Sequence, residues 1–194
     1  MKKLLSVMIL VLLVAGAASA CDGILSLFAN QSADKCSANL ACCQSVPMYL
    51  MYVRGDGPEI SNGMAFKLEK SSPGAAFLEP QWPGEFLQFG SLQDGIDVVV
   101  RAGEGWCSHA EAVSYMGTIP VVNFSESGQF TVKVVDSPRY DGVIVTLCAP
   151  DYPLYRVIGG TFVFNGHCKC PEDPFGAITA VAQSSWGGIK SLYR

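Results

Sequence analysis

The side chains best suited to acid–base or nucleophilic chemistry lie close together, and they are Glu104, Cys107, His109 and Glu111. A cysteine beside a histidine resembles the pair used by thiol hydrolases, but those partners normally lie far apart in sequence and meet in the fold. The only other histidine is His167. A secreted hydrolase that uses His109 or His167 with a carboxylate is therefore the alternative hypothesis for function.

Two common hydrolase motifs are missing, because the sequence contains neither a G-x-S-x-G nucleophile elbow nor an H-E-x-x-H zinc motif. Paired carboxylates for glycoside cleavage need no local motif and stay open as another route to hydrolysis. The pattern favours a non-enzymatic protein, and no cofactor is predicted.

Two groups of residues have sulfur-containing side chains of the kind that bind metal ions. Cys168 and Cys170 are separated by one residue, whereas zinc sites generally use longer spacings such as C-x-x-C. Met48, Met51 and Met64 are ligands that copper(I) accepts, yet methionine in an apolar run more often fills a core. No metal site is predicted.

The cysteines more simply predict disulfides, because an even number in an exported chain is typical of a disulfide framework. The eight are Cys21, Cys36, Cys42, Cys43, Cys107, Cys148, Cys168 and Cys170. Neither Cys42–Cys43 nor Cys168–Cys170 can bond internally without strain, since a disulfide needs Cα atoms about 5.5 Å apart. We expect at least one bond between these two pairs, which would close a loop of about 125 residues.

Residues 1–20 have the three parts of a secretory signal peptide: two lysines, an apolar core and a run of small residues that ends at Ala20. The apolar core is too short for a membrane span, which needs about 20 residues. We expect cleavage before Cys21 and a single secreted β-domain over residues 21–194. The alternative is a lipid anchor on Cys21, which would leave another thiol without a partner.

The charge balance excludes some partners. Removing the two lysines of the signal peptide from the 13 basic residues leaves 11 against 17 acidic ones, a formal charge of −6. A mildly acidic surface without a basic run argues against nucleic acid and anionic membranes as partners.

Two features are candidate binding residues. Arg54-Gly55-Asp56 is the tripeptide that integrin-binding proteins display, and the glycine and proline that follow predict an exposed turn. Trp82 and Trp106 stand beside glycine or proline, where loop tryptophans can stack on sugar rings. The simpler interpretation is that these rings close the open ends of a sandwich.

Two N-glycosylation sequons begin at Asn30 and Asn123. They carry glycans only in a cell that glycosylates exported proteins. The sequence alone does not decide whether either asparagine is modified.

Short β-branched and aromatic runs, bounded by Gly, Pro, Asn and Asp, predict an all-β protein: an antiparallel β-sandwich or a flattened barrel. The predicted strands cover residues 46–53, 64–68, 84–89, 96–101, 118–124, 129–135, 143–148, 155–158 and 161–164. The last two, separated by Gly159-Gly160, predict a tight hairpin with Val157 opposite Phe162 in the core.

Residues 21–45 are expected to form a cysteine-rich segment that disulfides pin to the sandwich. A short helix is predicted over 34–44, capped by Ser32 or Asp34, and another over 109–116. The function that fits best is an extracellular, non-enzymatic β-sandwich module that binds a partner or builds surface structure. Its partner would be an extracellular protein or a carbohydrate.

Overall fold

A computed structural model of the chain describes residues 23–54, 63–100, 113–125, 128–147 and 153–167. Over these residues the chain forms twelve strands and no helix, which confirms the all-β prediction. The strands are β1 Ile24–Phe28, β2 Ser37–Ala38, β3 Ser45–Val53, β4 Gly63–Lys70, β5 Ala75–Phe77, β6 Phe86–Ser91, β7 Gly95–Val100, β8 Val113–Asn123, β9 Phe130–Val135, β10 Val143–Thr146, β11 Leu154–Gly159 and β12 Thr161–Phe164.

The strands lie in two layers. The first has the order β5–β8–β3–β1, and all its neighbours are antiparallel. The second has the order β6–β7–β4, with β9 and β10 both paired antiparallel to β4 and β12 paired to β9. Strand β11 joins the layers, because it pairs with β10 on one side and β1 on the other.

The purely antiparallel sheet that we expected is wrong. Strand β1 runs parallel to β11, and β2 runs parallel to β12. The cause is the path of the last strands, which run beside the N-terminal strands in the same direction instead of pairing with each other. The sheet is therefore mixed.

A loop of residues 136–142 interrupts one strand of the second layer. Strand β9 pairs with residues 67–70 of β4, and β10 pairs with residues 63–65 of the same strand in the same antiparallel sense. The loop between them is closed by a bridge from Ser137 to Gly142. It projects from the sheet beside the outer face of β4.

The core fills the space between the layers, because alternate residues of each strand point inward. Leu25, Leu50 and Ile119 of the first layer and Phe66 and Val98 of the second are all 0% exposed. Four of these five residues lie in predicted strands, whereas Leu25 lies in β1, within the segment that was expected to be cysteine-rich and without strands.

The predicted hairpin over residues 155–164 is wrong in its pairing, although both strands exist. Val157 pairs with Val143 of β10, and Phe162 pairs with Val132 of β9. Both side chains are buried as expected, at 5% and 0% exposed.

Gly159 and Gly160 connect β11, which pairs with β10, to β12, which pairs with β9. Neither glycine has a positive φ, so they do not form the primed turn. A Cβ on Gly159 would lie 2.0 Å from the Val134 carbonyl oxygen, and one on Gly160 would lie 1.9 Å from the Ser26 Oγ. The glycines are needed for close backbone approach rather than for turn conformation.

The helix predicted over 34–44 is wrong, because this segment contains β2 and irregular backbone. The predicted cap, Asp34, instead accepts a hydrogen bond from Asn30 Nδ2 at 2.6 Å and closes a turn. The helix over 109–116 is also wrong where it can be seen, since residues 113–116 begin β8 and residues 109–112 lie outside the described part.

Hydrogen bonds hold the N-terminal segment to the last strand. The Val163 amide donates to the Cys36 carbonyl at 3.0 Å, and the Asn165 amide donates to Ala38 at 2.9 Å. The Asn165 side chain accepts from the Leu40 amide at 2.7 Å and donates to the Leu40 carbonyl at 2.9 Å. Residues 23–45 are thus part of the sandwich: they contribute β1 and β2, and Asn165 holds the stretch around Leu40.

Three of the eight cysteines lie within the described residues, and no disulfide joins two of those three. Cys36 is buried, while Cys42 and Cys43 are exposed with their Sγ atoms 3.1 Å apart. Cys21, Cys107, Cys148, Cys168 and Cys170 lie outside the described residues. The disulfide framework therefore stays a prediction.

Candidate functional site

The outer face of the second layer carries a row of cross-strand neighbours. The row runs Leu87, Val99, Gly63, Thr146, Leu154 across β6, β7, β4, β10 and β11. Its three apolar side chains are strongly exposed, at 63% for Leu87, 42% for Val99 and 57% for Leu154. We call this row, together with the neighbouring Phe89, the open face.

A second row beside the first is partly covered. It runs Phe89, Asp97, Ala65, Ile144, Arg156 across the same five strands. Phe89 is 55% exposed, whereas Ala65 and Ile144 are buried.

The loop of residues 136–142 lies against this second row. Arg139 forms an ion pair with Asp97, and Arg156 donates to Asp136 at 3.3 Å. Pro138 packs against Gly95 at the start of β7, where no side chain fits. The open face therefore carries exposed apolar side chains on β6, β7 and β11, with Gly63 and Thr146 between Val99 and Leu154, and charged pairs along one border.

The outer face of the first layer is more covered than the open face. Ser26, Phe28 and Met51 point away from the core, because Leu25, Leu27 and Leu50 alternate with them and point inward. Yet these three outward residues are only 2%, 0% and 2% exposed. Large exposed apolar side chains are thus found on the outer face of the second layer and not at these positions of the first.

A shallow depression lies on the same side as the open face, beyond the covered row. It has a volume of about 460 Å³, opens to solvent, and is lined by Lys67, Glu69, Val134, Val135, Asp136, Pro138 and Gly159. Its residues include one ion pair, Lys67–Glu69 at 3.0 Å. It offers no enclosed pocket for a small substrate.

The catalytic candidates do not form a site in the described part of the chain. His167 is exposed just after β12. Glu104, Cys107, His109 and Glu111 lie outside the described residues. No group of three or more His, Cys, Asp or Glu residues that could hold a metal ion occurs within the ranges described.

Trp82 is buried, which excludes it as an exposed sugar platform. It is 7% exposed, and its Nε1 donates to Gln88 Oε1 at 2.7 Å. The indole covers Gly117 of β8, where a Cβ would lie 2.4 Å from the ring. The ring therefore packs in the core between β8 of the first layer and β6 of the second. Trp106 lies outside the described residues.

The candidate binding tripeptide and the candidate copper ligands do not form sites within the described residues. Arg54 is half-buried directly after β3, while Gly55 and Asp56 lie outside the described residues. Met48 points into the core and Met51 points away from it, so the two cannot converge on one copper ion.

The two sequons differ in accessibility. Asn30 is half-buried in a turn, where its side chain bonds Asp34. Asn123 is 1% exposed, and its Oδ1 accepts from the Ser125 hydroxyl at 2.9 Å. The side chain of Asn123 is therefore too buried to carry a glycan in the folded chain.

The open face was missed in the sequence. Its signal was the run Phe86-Leu87-Gln88-Phe89, in which both alternating faces carry large apolar residues. A half-buried strand normally alternates apolar and polar residues. Apolar residues on both faces of an edge strand indicate an exposed contact surface.

None of the described residues belongs to a helix of the length and apolarity needed to cross a membrane. No protein-family model matches the sequence, and no curated protein sequence matches it either.

Solved structures do match the fold. A cohesin module from a family 33 glycoside hydrolase of Clostridium perfringens is 9% identical, with a TM-score of 0.53 over 74% of this chain and 96% of that one. The sixth cohesin of Acetivibrio cellulolyticus scaffoldin B, solved with a dockerin, is 10% identical, with a TM-score of 0.50 over 75% and 99%. The third ScaB cohesin of R. flavefaciens, also solved with a dockerin, is 12% identical, with a TM-score of 0.50 over 77% and 99%. The fold of this chain is therefore similar to that of cohesin modules.

Proposed function

We propose that the chain is a non-enzymatic, protein-binding β-sandwich module that binds its partner through the open face. The observation that carries the proposal is the exposure of Leu87, Val99 and Leu154 in one cross-strand row. Strips of this kind mark interaction sites on otherwise polar surfaces. Two of the similar structures are cohesins in complex with dockerins, which supports a protein partner for this fold.

The chemistry of the face suits a protein better than a sugar. Its exposed side chains are aliphatic apart from Phe89, and a flat apolar strip bordered by charged pairs resembles a protein interface with a polar rim. The partner should present an apolar patch with charged residues at the edge that meets Arg139 and Arg156.

We also propose that the module acts outside the cell. The signal-peptide pattern of residues 1–20 supports export, and the eight cysteines support an oxidising compartment.

The test begins by capturing extracellular proteins of the source organism on the immobilised mature chain. Each captured protein is then purified and titrated calorimetrically against three forms: wild type, Leu87→Lys/Leu154→Lys and Leu78→Lys. Leu78 is an exposed leucine, 44% accessible, beside the first layer, so it provides a matched leucine-to-lysine control.

The expected result is one-to-one binding to wild type and to Leu78→Lys, and at least a tenfold loss of affinity for the double variant. Two lysines in a desolvated apolar contact would cost more than 1.4 kcal/mol, the equivalent of tenfold. Equal affinity for all three forms would reject the open face as the site.

A further inference from the structure

Strand β6 is an edge strand. It pairs with β7, and no other described strand pairs with it. Because N–H and C=O groups of alternate residues point to opposite sides of a strand, half of the β6 backbone groups point to the side away from β7. Such an edge is a template for pairing with another strand.

This edge lacks two of the usual protections, charged side chains and proline. Native edge strands are blocked by charged side chains, proline, bulges or very short length. Residues 86–91 contain no charge and no proline, and Phe86, Leu87 and Phe89 are 44%, 63% and 55% exposed. The other edge strands of the described sheet are short: β5 has three residues and β2 has two.

We propose that β6 pairs antiparallel with β6 of a second copy of this chain, forming a two-fold symmetric dimer. This inference goes beyond the proposed function and does not depend on it. A two-fold axis perpendicular to the sheet maps outer face onto outer face, so only residues of the same face can lie opposite each other.

The register with the best side-chain pairing places Gln88 opposite Gln88 of the second copy. Leu87 of each copy then lies opposite Phe89 of the other copy. Both apolar residues of the outer face therefore gain a partner. Phe86 lies opposite Gly90, which has a φ of 81° and lacks a side chain, so the regular pairing ends there and the ring has room. Aromatic residues stabilise glycine positions in this way across strands.

Charge also permits this pairing. The mature chain has 11 basic and 17 acidic residues, a formal charge of −6, so self-association is unfavourable wherever acidic groups meet. In the proposed register Glu85 lies opposite Ser91, so no acid meets an acid. The pairing also places the open faces of the two copies side by side.

The dimer should be weak. A six-residue strand is about 20 Å long, and the pairing buries less than the roughly 1,200 Å² of a stable interface. We expect dissociation in the range of tens to hundreds of micromolar.

The test is sedimentation velocity of the mature chain without any partner, over about 5 to 500 μM. Leu87→Lys/Phe89→Lys and Leu87→Glu/Phe89→Glu each bring like charges together across the axis. An equimolar mixture of these two variants brings opposite charges together. Leu87→Lys/Phe89→Glu is the matched control, because each lysine then faces a glutamate in its own homodimer.

We expect wild type and the control to dimerise with rising concentration, each like-charge variant to stay monomeric, and the mixture to dimerise again. All substituted side chains are exposed, and circular dichroism checks that each variant folds. The proposal is overturned if wild type stays monomeric over the whole range, or if the like-charge variants dimerise as wild type does.

Discussion

At the scale of single residues, Phe162 shows how strongly the core depends on aromatic packing. Its ring meets Phe164 edge-on with centroids 4.8 Å apart, and Phe164 stacks on Phe130 at 4.7 Å. Phe162 is 0% exposed. The three rings pack β12 against β9, the strand with which it pairs.

We predict that Phe162→Ala lowers the free energy of unfolding by about 3–5 kcal/mol, as large-to-small changes in a packed core do. Lys133→Ala, on an exposed residue of the neighbouring strand β9, should change it by less than about 0.5 kcal/mol. Urea denaturation of both variants measures the difference. A loss below about 1 kcal/mol for Phe162→Ala would contradict the packing described for β12.

Single residues also explain why the hairpin was mispredicted. Two adjacent glycines between apolar runs are the usual signal for a primed turn. Here they are required by Val134 and Ser26, which belong to strands distant in sequence. A local pattern contains no information about such a tertiary approach.

At the scale of elements, Asn165 links the N-terminal segment to the end of β12. Its φ of 53° lies in the left-handed region, which asparagine tolerates better than most residues. Its side chain bonds both the amide and the carbonyl of Leu40, a residue that is 0% exposed.

Asn165→Ala and Asn165→Gly should both speed hydrogen exchange of the Leu40 amide by about tenfold or more, because each leaves buried backbone groups unbonded at about 1–3 kcal/mol. Asn165→Gly removes the side chain without the strain of a positive φ, so it separates the two effects. Exchange that increases only in Asn165→Ala would show that backbone strain, not the side-chain hydrogen bonds, is responsible.

The disulfide prediction also belongs at this scale. Parallel pairing of β2 with β12 brings the segment before Cys42 alongside the strand that precedes Cys168. We predict at least one bond between the pairs Cys42–Cys43 and Cys168–Cys170. Non-reducing peptide mapping of the exported protein tests it, and the same map should show a chain that starts at Cys21. Pairing of all cysteines from 21 to 43 among themselves would refute the bond.

The sequence predicted elements better than their arrangement. Nine of the twelve strands followed from β-branched and aromatic runs, whereas β1, β2 and β5 were not predicted. Trp82 is buried in the core. Parallel pairing and the loss of two helices could not be predicted, because they depend on which distant strand satisfies each backbone group. The open face also depends on strand order, since Leu87 and Leu154 share one row only because β7, β4 and β10 lie between their strands in register.

At the scale of the whole molecule, the two outer faces have different properties. The first layer keeps Phe28 and Met51 covered, while the second exposes Leu87, Val99 and Leu154. An exposed apolar strip reduces solubility, so its presence is best explained by a partner that covers it. The proposed function therefore requires that the partner protects the open face.

Amide hydrogen exchange of the chain, alone and bound to the partner identified by titration, tests this claim most directly. If the partner binds the open face, exchange slows on binding in β6, β7, β10 and β11, centred on residues 86–89, 97–99, 144–146 and 154–156, while β3 and β8 are unchanged. Protection of β3 and β8, with β6 and β7 unchanged, would contradict it.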